Sequence, residues 1–139
     1  MRVSGILETA LYVADLPAAA AFYRRVFGFP VLLESDRLIA LDVAGRSVLL
    51  LFKSGATGEP FETPGGVIPA HPGRGVTHFA FAVEDQDIDP WRERLKAEGV
   101  AVESVVTWPR GARSVYFRDP DGNLVELISR GFWATYCRG

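Results

Sequence analysis

At 139 residues, 48% of them hydrophobic, the chain is long enough to bury a sizeable core and is read as one compact domain, 1–139. The formal charge is only -2 and the 15 basic residues are scattered, which excludes an electrostatic footprint for nucleic acid or an acidic membrane surface and leaves small-molecule chemistry as the expectation. Cys137 has no partner for an intrachain disulfide, the N-terminus lacks the basic and then apolar segments of a signal peptide, and no apolar run approaches membrane-spanning length; the expected setting is soluble and cytoplasmic.

From Leu7 to Val13, the residues Leu7, Thr9, Leu11 and Val13 alternate with Glu8, Ala10 and Tyr12, the period of a strand with two unlike faces. Asp15 is placed to cap a helix, Pro17 suits its first turn, and Ala18 to Phe27 offers Phe22, Val26 and Phe27 for a buried side before Gly28 ends it. Strands are predicted over Val31 to Glu34, Leu38 to Val43 and Ser47 to Phe52, the last two joined by an Ala44-Gly45 turn. This first module, 1–53, is followed by a linker, 54–75, rich in Gly and Pro and without a sustained period, in which Val67 and Ile68 are the apolar residues available to pin it down.

A second module, 76–130, repeats the order and leaves a short C-terminal tail. Val76 to Val83 reads as a strand, Asp87 or Asp89 as a helix cap with Pro90 in the first turn, and the helix runs through Trp91 and Leu95 to Gly99. Val102 to Val106 is a β-branched run, Arg113 to Arg118 alternates, and Asp119-Pro120-Asp121-Gly122 is a turn signal leading into a strand over Asn123 to Ile128. An offset of 70 lays Glu8 on His78, Val13 on Val83 and Asp15 on Asp85, and an offset of 76 lays Val48 on Leu124, Leu50 on Glu126 and Phe52 on Ile128. The fold class is therefore α+β, two modules each ordered strand, helix, three strands.

Parity places the chemistry. If Val125 and Leu127 pack on the helix, Glu126 looks the other way, and the same rule sets His78 opposite Thr77, Phe79 and Phe81, and Glu8 opposite Leu7, Thr9 and Leu11. A carboxylate flanked by Leu124, Val125, Leu127 and Ile128 requires a partner, and a divalent metal shared by Glu8, His78 and Glu126 supplies one for all three. An ion pair of Glu126 with Arg118 or Arg113 is the bland alternative, as a satisfied core histidine is for His78. Tyr12 and Tyr116 share the same parity and are read as lining the pocket or orienting a substrate oxygen, while Trp108 and Arg110 suit the rim of a site for an anionic, partly apolar ligand. His71 is read as a solvated linker residue that could enter from the rim, Asp119 and Asp121 as turn residues, and Glu34 as a base only if its strand points inward.

Three stretches then carry a resemblance: Glu8 to Leu16 with Phe22-Tyr23 and Gly28-Phe29; Gly75 to Val83; and Tyr116 to Glu126. Together they resemble the vicinal oxygen chelate superfamily of lactoylglutathione lyases, extradiol dioxygenases, fosfomycin-modifying enzymes, methylmalonyl-CoA epimerases and bleomycin-binding proteins. The resemblance implies paired βαβββ modules forming an eight-stranded cup with helices outside, metal ligands at Glu8, His78 and Glu126, catalytic roles for Glu8 and Glu126, and a homodimer. Leu50 stands where lactoylglutathione lyases carry a fourth, acidic ligand, and Glu8 stands where dioxygenases and fosfomycin enzymes typically carry His. One imidazole with two carboxylates favours Fe, Mn, Ni, Co or Zn with positions left open to a substrate. The leading expectation is a metal-dependent lyase, isomerase or ring-cleaving dioxygenase acting on a small oxygenated substrate; the competing one is a non-catalytic drug- or metabolite-binding protein of the bleomycin-binding type.

Overall fold

The structure, a computed structural model, describes residues 1–137. The chain divides into two compact units, Met1–Gly75 and Val76–Gly139. Unit 1 contains β1 (Glu8–Val13), α1 (Leu16–Phe27), β2 (Val31–Glu34), β3 (Leu38–Val43) and β4 (Ser47–Lys53), followed by a small hairpin of β5 (Phe61–Thr63) and β6 (Gly66–Ile68). Unit 2 contains β7 (His78–Ala82), α2 (Ile88–Ala97), β8 (Val102–Thr107), β9 (Arg113–Arg118) and β10 (Leu124–Ile128). The two four-stranded sheets have the same topology, β1-β4-β3-β2 and β7-β10-β9-β8, and in each the first strand runs parallel to the last. The α+β class and the repeated βαβββ order are as the sequence predicts. Register makes the repeat exact in space: Glu8 pairs with Val48, and His78 pairs with Leu124.

In unit 1 the helix packs on β3 and β4 and covers the face carrying Leu11, Val13, Ile39, Leu41, Leu49 and Leu51, all buried. Asp15 caps α1 by accepting the Ala18 amide at 3.0 Å, and Gly28 closes it in the left-handed region at φ 72°, its amide returned to the Arg24 carbonyl. Leu16, Ala19, Ala20, Tyr23 and Val26 form the buried stripe at three- and four-residue spacing. Phe22 and Val26 are buried as expected, but Phe27 is only half-buried, and Tyr23 is the large side chain wholly enclosed. A phenol is half apolar ring, so burying that ring contributes on the order of 2 kcal/mol.

In unit 2 the helix lies on β8 and β9, and Val115, Phe117, Val125 and Leu127 are fully buried. Ile88 and Leu95, two turns apart, are the buried residues of α2, with Trp91 half-buried between them. Neither predicted acid caps this helix through its side chain. A short 3-10 turn over Asp85–Asp87 leads straight into it, and Asp89 instead meets Arg113 at 3.1 Å. Among the described residues no helix is long and apolar enough to cross a membrane.

The linker is more ordered than its composition implies. Val67 and Ile68 do not pin it: both are exposed, paired in the β5–β6 hairpin with Glu62 and Phe61. The anchor is polar instead. Buried Thr57 donates its hydroxyl to the His71 carbonyl at 2.8 Å, and the His71 amide returns to the Thr57 carbonyl at 2.9 Å.

The turn before β10 is stitched from one side chain. Asp119 accepts the Asp121 and Asn123 amides through one carboxylate oxygen and the Asn123 side-chain amide through the other, and Asn123 in turn accepts the Thr77 amide at the start of β7. Asp119→Ala leaves buried donors unmatched and is expected to lower unfolding free energy by about 3 kcal/mol in a urea titration.

Candidate metal centre

The face of the unit 2 sheet away from α2 carries His78, Ala80 and Ala82 from β7, Leu124, Glu126 and Ile128 from β10, and Ser114 and Tyr116 from β9. In register, Glu126 stands between Ala80 and Tyr116. Strand parity alone sets these residues on one face, because side chains alternate with a period of two.

Glu126 is only 6% exposed. One carboxylate oxygen, Oε2, accepts the Ser114 hydroxyl at 2.5 Å and the Tyr116 hydroxyl at 3.1 Å. Ser114 itself accepts the Trp108 indole N–H at 2.8 Å, so a relay of three side chains fixes the carboxylate plane. Burial first, and then the neighbouring Glu126 charge and hydrogen bond, push the Tyr116 phenol above its ordinary pKa, which keeps it protonated as a donor. The ion pairs offered as an alternative for Glu126 do not form: Arg118 bonds Glu103 at 2.8 Å, and Arg113 bonds Asp89.

The other carboxylate oxygen, Oε1, faces His78 Nε2 at 3.2 Å. His78 Nδ1 lies 3.0 Å from the Leu124 carbonyl oxygen, which can only accept. The imidazole proton therefore sits on Nδ1, and a neutral ring turns the lone pair of Nε2 toward a carboxylate oxygen. Two acceptors at that distance repel unless a cation stands with them, either a proton on the ring or a metal ion. An imidazole oriented through its far nitrogen and a carboxylate held by two hydroxyls are two side chains of the kinds that ligate divalent ions, each with outer support.

Glu8 is exposed on β1, on the helix-free face of unit 1, and among the described residues its side chain makes no hydrogen bond or ion pair. Leu50 lies between Ala10 and Ala40 on that same face, at the position in the fold that Glu126 holds in unit 2. No group of three or more His, Cys, Asp or Glu side chains is gathered among the described residues; the pair brought together is His78 with Glu126. Trp108 is not a free rim residue, since its ring packs on Phe132 at 4.4 Å and its N–H is spent on Ser114. Arg110 is exposed, in the left-handed region at φ 73°. Ser114 escaped the sequence reading, although its parity with Tyr116 was signal enough to find it.

Tyr12 is engaged in unit 1, where its hydroxyl lies 2.9 Å from His71 Nδ1. His71 is thus no solvated linker residue: it is half-buried and packs edge-on against Phe52 at 4.7 Å.

A family model described as the Glyoxalase/Bleomycin resistance protein/Dioxygenase superfamily matches residues 5–127. The chain is similar to the metallothiol transferase FosB of Bacillus licheniformis, 28% identical over 91% of this chain and 75% of that protein. It is also similar to the catechol-2,3-dioxygenase of Bacillus subtilis, 30% identical over 86% of this chain but only 39% of that protein's length. Among solved structures, the lactoylglutathione lyase from Agrobacterium tumefaciens superposes with a TM-score of 0.87 at 39% identity, covering 96% of this chain and 99% of that one. With the model running from before β1 to within β10, and with both units built on one register, the chain belongs to the glyoxalase/bleomycin resistance protein/dioxygenase superfamily.

Proposed function

We propose that the protein is a metal-dependent enzyme that acts on a small oxygenated substrate, with His78, Glu126 and Glu8 as the ligands of a divalent ion such as Fe, Mn, Ni, Co or Zn. The observation that carries this reading is His78 Nε2 set 3.2 Å from a buried carboxylate oxygen while the Leu124 carbonyl holds the far ring nitrogen. The names of the similar proteins, a metallothiol transferase, a catechol dioxygenase and a lactoylglutathione lyase, span three reaction types, and the proposed reaction is of lyase, isomerase or ring-cleaving dioxygenase type. A divalent ion held there supplies Lewis acidity, stabilising negative charge as it develops on a substrate oxygen.

The residues divide the remaining work. Glu126 has only Oε1 to offer, since Oε2 is occupied by Ser114 and Tyr116, so it serves as ligand rather than as base. Glu8, exposed and unengaged, is the carboxylate with the freedom to move a proton. Tyr116 stays protonated and donates, which holds Glu126 and excludes a competing acceptor.

Metal analysis after reconstitution tests the ligand set. His78→Ala and Glu126→Gln should each weaken metal binding by about 100-fold or more with little change in circular dichroism, because both side chains point away from the helix-packed face. Unchanged metal content in both, together with tight binding of an aromatic drug by metal-free protein, would favour a sequestering protein instead. Ser114→Ala should weaken metal binding by about tenfold while leaving a site that still loads, since it removes support and not a ligand.

The assembly we propose is a homodimer, the commonest symmetric arrangement, in which Glu8 of one copy joins His78 and Glu126 of another. Glu8→Ala and His78→Ala proteins, mixed equally, denatured and refolded together, should then recover about a quarter of the wild-type metal content, as half the dimers are mixed and each of those has one intact site. No recovery, or a monomer at micromolar concentration, rejects the shared site.

A further inference from the structure

We propose that the helix-free face of unit 1 carries a carboxylate-binding site, with Arg37 and Tyr12 as the donors and His71 as a positioning residue, that takes a small acid with a planar apolar body. None of its residues is a proposed metal ligand, so its test does not depend on metal retention.

Arg37 is the starting point. It sits in the turn between β2 and β3, its backbone held by the Ser35 hydroxyl, which accepts the Arg37 amide at 3.2 Å, and by the Lys53 amide, which donates to the Arg37 carbonyl at 3.0 Å. Its guanidinium is half-buried, lies 4.4 Å from the Phe61 ring centroid and 5.7 Å from that of Phe52, and has no carboxylate partner among the described residues. Nε is wholly shielded and bonds nothing. A half-buried cation is stabilised by its neighbours only in part when no anion meets it, and the forked, planar guanidinium matches a carboxylate best.

His71 settles which donors remain. Arginine can only donate, so the 3.4 Å approach of Arg37 Nη2 to His71 Nε2 makes that nitrogen the acceptor and places the ring proton on Nδ1. Nδ1–H then donates to the Tyr12 hydroxyl oxygen at 2.9 Å, which leaves the phenolic hydrogen of Tyr12 to donate onward. With Nη2 turned to His71 and Nε shielded, the outer guanidinium edge at Nη1 and the Tyr12 O–H are the donors that flank this imidazole with no acceptor among the described residues. The surrounding rings of Tyr12, Phe52 and Phe61 supply an apolar bed, with Tyr12 stacked on Phe52 at 5.8 Å. Gly73 fixes the arrangement from behind: a Cβ there would stand 2.2 Å from a Tyr12 ring carbon, so only glycine lets the linker pass over this ring.

Sodium benzoate is the probe, titrated calorimetrically into full-length protein both metal-replete and EDTA-treated. Saturable binding is expected in both, weakened about tenfold or more in Arg37→Gln and about threefold or more in Tyr12→Phe and Gly73→Ala. Arg37→Lys, which keeps the charge but loses the fork, should also bind several-fold more weakly and serves if Arg37→Gln does not fold. Nitrogen NMR of the imidazole should show His71 with its proton on Nδ1. The proposal is overturned by equal benzoate affinity in wild type and both Arg37 variants, by equal affinity for uncharged benzyl alcohol, by inorganic phosphate binding as tightly as benzoate, or by a His71 proton on Nε2. Binding only in metal-replete samples also overturns it, since the acid would then sit on the metal. A wild-type protein that never retains metal leaves these outcomes unchanged, so the two readings fail separately.

Discussion

The contact between His78 Nε2 and Glu126 Oε1, 3.2 Å apart, is the constraint that the functional reading depends on. Its sign is set by a bond on the far side of the ring, where Nδ1 meets the Leu124 carbonyl. Because the carbonyl has no hydrogen to give, the ring must give its own there, and the near nitrogen is left facing a negative oxygen. The carboxylate cannot turn away, since Ser114 and Tyr116 hold its second oxygen and the sheet buries it. A cation relieves this contact, either a proton that completes an imidazolium–carboxylate pair or a metal ion, and metal-ligating histidines are oriented through their far nitrogen in the same way.

Unit 1 provides a comparison within one molecule. The tautomer we infer for His71 also puts the proton on Nδ1, but there Nε2 faces Arg37 rather than a carboxylate. The cation requirement is already met by a side chain. A metal at His71 would have to displace a guanidinium and would gain no anionic ligand in exchange, so the two histidines have opposite electrostatic needs despite the same tautomer. The repeated units have accordingly diverged on their helix-free faces: Leu50 and Phe52 make unit 1 apolar and aromatic where Glu126 and Ile128 stand in unit 2, while the helix-packed faces remain alike in Leu, Val and Phe.

Much of this was legible in residues whose meaning is local. Alternation along Arg113 to Arg118 and along β10 assigns each side chain to a face without knowledge of any other strand, and the paired offsets identify Glu8 with His78 and Leu50 with Glu126, as the register bears out. Asp15 and Gly28 carry cap chemistry in their own side chain and backbone freedom, so α1 could be bounded from its sequence. α2 was less readable because Asp87 and Asp89 both qualify as caps, yet a 3-10 turn leads into the helix, Asp89 turns to Arg113, and neither side chain caps it.

What the amino-acid sequence determined by itself is therefore the pair of βαβββ units and the face on which each polar residue stands, because periods of 2 and 3.6 residues are properties of the local backbone. Only the tertiary structure decided who meets whom on those faces. Leu124 lies 46 residues from His78, and Arg37 lies 34 from His71, yet these distant atoms are what the imidazole nitrogens meet. Likewise Ser114 and Trp108 became the support of Glu126, and Thr57, not Val67 or Ile68, became the anchor of the linker. Hydrogen-bond direction is a property of a pair of groups brought within about 3 Å, and no single stretch of chain contains both.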